Sequence, residues 1–126
     1  MTERTREVVF RGCAVLALAA EAFHAAAIAS PGIARIEYDA TYPAWRHLLF
    51  IVIDIIVAWL LLRRPRWFVW AFLVLTLQVL SGHGRGAWHH WVEQREVDWI
   101  SVGVSLAAPA ILLLLIIDRR RNDGTC

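Results

Sequence analysis

The chain contains no lysine: its 13 basic residues are all arginine. We read this as a compositional bias rather than a functional signal. Cysteine is almost as scarce, with Cys13 early in an apolar stretch and Cys126 at the last position. Two such residues make neither a CxxC motif nor a disulfide framework, and Cys13 reads as a small apolar packing residue. An excess of one charge is also missing. Thirteen basic against 11 acidic residues leave a net +2, too little to attract nucleic acid. No nucleophile–base pair, phosphate-cradling loop or nucleotide motif occurs. A hydrolase or an ATPase therefore has nothing to rest on, and the sequence assigns no enzymatic activity.

What the sequence has in abundance is hydrocarbon. Apolar residues make up 59% of the 126 residues and mean hydropathy is +0.52, whereas soluble domains run near 45–50% apolar. The excess gathers in four blocks separated by charged or Pro/Gly-bearing breaks, the pattern of a polytopic helical membrane protein. The blocks run over about 8–29, 45–62, 67–82 and 97–117. The first would be about 33 Å long as a helix, enough to cross a bilayer. The third, at about 24 Å, requires a thinned bilayer or a helix that continues past Gly82.

Ser30-Pro31-Gly32 is expected to end the first helix. The loop that follows carries Arg35, Glu37, Tyr38, Asp39 and Tyr42. Gly82-His83-Gly84-Arg85-Gly86 reads as a flexible turn, and Trp88-His89-His90-Trp91 as a polar–aromatic segment for the membrane surface. A signal peptide competes for the first block, given its basic start and the Ala-Ile-Ala before Ser30. Glu21 and His24 interrupt that block where a signal would be cleanest, which favours a retained span.

Arginine counting sets the orientation. Arg4, Arg6, Arg11, Arg63, Arg64, Arg66, Arg119, Arg120 and Arg121 flank one side; Arg35, Arg46, Arg85 and Arg95 flank the other. The positive-inside rule puts both termini in the cytoplasm. Trp45, Trp88, Trp91 and Trp99 form an outer aromatic belt, with Trp67 and Trp70 at the inner interface. The inner arginines read as topology signals and anionic-lipid contacts. The expected fold is thus all-α: a single-domain integral membrane four-helix bundle in a bacterial-type inner membrane.

Glu21 and His24 are three residues apart and share a helix face. At the expected topology Glu21 and Asp54 lie about 12 Å below the outer surface, His24 is nearer that surface, and His47 and His83 are close to the rim. His47 and Asp54 share a face of span two, Gln78 and Ser81 a face of span three, and Asp98, Ser101 and Ser105 a face of span four. All four helices put polar groups into one outer layer, while the inner half is almost purely aliphatic. Ionisable groups in a membrane usually face the bundle interior or a water-filled cavity.

Three chemistries could use this layer. The first is ligation: Glu-x-x-His gives one metal a carboxylate and an imidazole from one helix. Glu21, His24 and Asp54 with His47 or His83 would make a mononuclear transition-metal site, and two of His24, His47 and His83 could hold a haem. A di-metal site would require a homodimer. The second is proton-coupled binding or transport, with Glu21 and Asp54 as proton carriers and Gln78 as a further ligand contact. The chain resembles small dimeric four-span transporters in span count and in the acid of span one, with no motif match. The third is helix glue, in which Glu21 pairs with His47 or His24 with Asp54 in an accessory subunit of a larger membrane complex. Small residues support close packing there: Ala14, Ala17 and Ala25 on span one, Gly103 and Ala107 on span four.

Overall fold

The computed structural model describes residues 2–29 and 44–124. The expected break at Ser30-Pro31-Gly32, the loop residues up to Tyr42, and Cys126 lie outside the described residues. Every regular element among them is helical. The chain divides into two compact units, Met1–Arg64 and Pro65–Cys126.

The first unit is a pair of long helices, α1 (Glu3–Ala29) and α2 (Ala44–Arg63), packed along one another. Alanine and leucine dominate α1, and both are strong helix formers. It begins five residues before the expected block, because Thr2 Oγ1 accepts the Thr5 N–H at 3.2 Å and so caps the polar lead into the helix. Phe10, Cys13 and Ala14 from α1 are buried, as are Val57, Ala58, Leu60 and Leu61 from α2; Leu61 is sealed completely. Ala25, expected to pack, is exposed. The Arg64 guanidinium lies 5.0 Å over the Phe10 ring. Arg64 itself adopts φ 49°, a left-handed residue that stops α2 just before Pro65, which cannot continue a helix. Large aliphatic and aromatic side chains such as Val15, Leu16, Val52 and Trp59 stay exposed, as lipid-facing positions do.

The second unit differs from expectation at its centre. α3 (Phe68–Val79) has 12 residues, about 18 Å, short of a hydrocarbon core of about 30 Å. The stretch read as a flexible turn is instead helical: a π turn, Leu80–Gly84, leads directly into α4 (Arg85–Gln94). Gly84 sits at φ −63°, ψ −42°, and no described glycine has positive φ. Glycine permits a turn but does not impose one, and with no proline in the segment the chain stays helical. The helix stops at Arg95, left-handed at φ 58°.

α5 (Trp99–Asp123) follows. Asp98, expected within the intramembrane polar layer, is its N-cap and accepts the Ser101 N–H at 3.0 Å. The helix runs beyond the expected end at 117 because Asp118 to Asp123 continue it, and it carries Pro109 in its interior. Phe68, Val69, Phe72 and Thr76 of α3 and Ser101, Ala108 and Leu115 of α5 are buried. Thr76 returns its hydroxyl to the Phe72 carbonyl at 2.7 Å, so a buried polar group is satisfied within its own helix. Gly103, expected at a packing face, is exposed.

Among the described residues three helical stretches are long and apolar enough to cross a membrane: Glu3–Ala26, Trp45–Arg63 and Trp99–Asp123. The protein is therefore an all-helical membrane protein by length and composition, and the third expected span, 67–82, does not reach that standard as a plain α-helix.

A candidate acid–histidine site in the first unit

His24 is the hub. Its ring stacks on Phe50 from α2, centroids 5.4 Å apart and planes 18° apart, and Phe23 meets it edge-on at 6.1 Å. Its two nitrogens face two different groups. Nδ1 is 3.1 Å from Nδ1 of His47, and Nε2 is 4.0 Å from Oδ2 of Asp54. One α1 residue thus meets two α2 residues that stand seven apart, two turns along the same face. Glu21 stands one turn before His24 on α1. All four side chains are half-buried.

Elementary imidazole chemistry orders the protons. Two ring nitrogens in contact need one donor and one acceptor. If His47 donates from Nδ1, His24 accepts on Nδ1 and carries its own hydrogen on Nε2. That nitrogen lies 4.0 Å from Asp54 Oδ2, beyond direct hydrogen-bond distance. This tautomer is assigned from the contacts; it gives a directed row, His47 to His24 to Asp54. Reversing the His–His bond would turn the bare Nε2 of His24 toward the carboxylate, an arrangement without a donor.

The structure sets His24 against His47 and Asp54, with Glu21 one turn away on α1. Gln78 and His83 belong to the second unit. Gln78 is exposed on α3. His83, in the π turn, has Nδ1 3.1 Å from the hydroxyl of Ser101 on α5. Burial pushes the Asp98 carboxyl up, but the hydrogen bonds it accepts from Ser101, with His90 nearby, outweigh this and hold it below the ordinary aspartate range. His89 pairs with Glu93 at 2.8 Å along α4, an exposed contact one helical turn long.

Among the described residues no group of three or more His, Cys, Asp or Glu side chains is gathered as a metal site requires. The facing nitrogens of His24 and His47 supply two donors. Their direct contact also leaves no gap between the rings for a porphyrin, so haem held by that pair does not fit. Sequence spacing pairs Glu21 with His24 and His47 with Asp54 but gives no sign of Phe50, an ordinary apolar residue in the sequence whose ring stacks on His24. Compared with known proteins, the chain matches no family model, no curated protein and no solved structure.

Proposed function

We propose that this is a small polytopic inner-membrane protein whose α1–α2 pair holds an exchangeable proton in its outer half, between two imidazoles and two carboxyls. In this reading span one is retained, both termini are cytoplasmic, and the α3–π–α4 helix serves as the remaining span. The observation that carries the reading is the His24–His47 contact at 3.1 Å with Asp54 behind the far nitrogen. A pair of imidazoles sharing one hydrogen takes up a second proton without moving a helix, and the nearby carboxylates compensate the added charge. Coupling of that proton to a small polar ligand or a metal ion at the same groups is the wider form of the proposal. Within the α1–α2 pair the ionisable groups away from the helix ends, Glu21, His24 and Asp54, lie in the outer half of this arrangement, which favours binding over transport through the membrane.

The competing reading is glue: the same contact ties α1 to α2, and the chain is an accessory subunit of a larger membrane complex. Difference infrared spectroscopy on the protein in lipid separates the two. On acidification the wild type should show imidazole and carboxyl bands changing together, and Glu21→Gln and Asp54→Asn should remain folded while losing that joint change. If both variants keep the joint change, or only lower thermal stability in detergent, the contact is glue and the proposal fails. Elemental analysis of the same preparations reports any metal that the acid–histidine groups hold.

A further inference from the structure

The second unit carries a cluster that the acid–histidine site does not use. Where α3 begins and α5 ends, Arg66 Nη2 lies 3.3 Å from one oxygen of Asp123, and Arg119 Nε lies 3.6 Å from the other. One carboxylate thus draws together two guanidiniums that would otherwise repel. Arg119 also has its guanidinium carbon 5.6 Å over the Trp70 ring, a cation–π contact that fixes its height. Trp67 and Trp70 are exposed by 58% and 61%, and the Arg66 side chain by 71%.

Each guanidinium has five N–H donors and turns one nitrogen toward Asp123, which leaves both with donors to spare. Arg66, Arg119, Arg120 and Arg121 against Asp118 and Asp123 leave this end with a surplus of two positive charges. Exposed tryptophans mark the headgroup level of a membrane. Abundant anions at that level are the phosphates of acidic lipids, which attract arginines near the surface. Arginine is suited to phosphate because its planar fork grips two oxygens at once.

We propose that the inner end of the Pro65–Cys126 unit is a binding site for the phosphate of an acidic glycerophospholipid. Arg66 and Arg119 grip the phosphate, Asp123 holds the two arginines at gripping distance, and Trp67 and Trp70 set its depth. The site is independent of the proton held in the first unit.

The test uses the full chain in phosphatidylcholine nanodiscs titrated with dioleoylphosphatidylglycerol, with retained lipid counted by native mass spectrometry. Wild type should retain phosphatidylglycerol over phosphatidylcholine. Arg66→Gln alone should weaken that preference roughly fivefold, the effect expected of one arginine near an anionic surface. Arg66→Gln with Arg119→Gln should abolish it, while Arg95→Gln, in the link between α4 and α5, should leave it intact. If the double variant does not fold, the exposed Arg66→Gln carries the test. Asp123→Asn separates a built site from bulk charge. It adds a positive charge yet should weaken retention, because the arginines are no longer held together. Equal retention of the two lipids, equal loss in Arg95→Gln, or stronger retention in Asp123→Asn would overturn the proposal. So would displacement of the lipid by millimolar inorganic phosphate, which would make this a site for the free anion.

Discussion

In the Met1–Arg64 unit the polar contact between helices runs from one imidazole to another and on to a carboxylate. In the Pro65–Cys126 unit it runs from the His83 imidazole to the Ser101 hydroxyl. The two contacts differ in what a proton can do there. In the first contact both partners are imidazoles, each able to ionise. In the second only one partner is, since the serine hydroxyl does not ionise in the physiological range, and Asp98 beside it is engaged in capping α5. The backbone differs as well. The first unit is two regular helices, while the second contains a π turn and an interior proline. Irregular backbone therefore sits with the imidazole–hydroxyl contact, and the imidazole pair sits on the regular frame.

Four experiments sharpen or break this contrast. The largest effect should be common to both units: Leu61→Ala and Leu115→Ala remove buried aliphatic side chains and should each cost about 2–5 kcal/mol. Unfolding titrations in mixed micelles measure this, and a much smaller loss in one unit would mean that its core is not packed as described. Next, Ser101→Ala should cost about 1 kcal/mol, the usual worth of a single interhelical hydrogen bond, and leave the joint imidazole–carboxyl spectral change of the first unit intact. His47→Ala should cost a similar amount but also remove the acid-linked spectral change. If Ser101→Ala altered that change too, the division of labour between the units would be wrong.

Gly82→Ala gives a smaller effect of opposite sign. An added Cβ there meets nothing within 4 Å, so a helical residue should stabilise the second unit by about 0.5–1 kcal/mol. Destabilisation would restore the flexible turn. The smallest effect belongs to Asp98. Its carboxyl is held below the ordinary value, so the group contributes stability above the unfolded aspartate pKa of about 4 and loses it as pH falls through the lower folded value. Melting curves below about pH 4 should therefore steepen in wild type relative to Asp98→Asn.

Much of the frame was legible because hydrophobicity needs only composition and length. The starts and stops of α2, set by Trp45 and by Arg63-Arg64-Pro65, followed from that. The Glu21–His24 face and the His47–Asp54 face followed from helical spacing, although that they would meet each other depends on how α1 and α2 pack. Gly82, Gly84 and Gly86 were misread because glycine's freedom was taken as a demand for a turn. Asp98 was misread for a related reason. It was placed by depth in a span, when Asp98 with Ser101 three residues on, just before an apolar run, is an N-cap signal. Phe50 could not be found at all, since stacking on a histidine leaves no mark on an apolar sequence.

In the proposed site His24 and His47 share a hydrogen, with Asp54 fixing its direction. Nitrogen-15 NMR of ring-labelled histidine in lipid reads this out. One Nδ1 should be protonated and the other bare, with the two rings titrating as a coupled pair and Asp54→Asn disturbing both. Two histidines that titrate independently, each unaffected by replacement of the other, would contradict it.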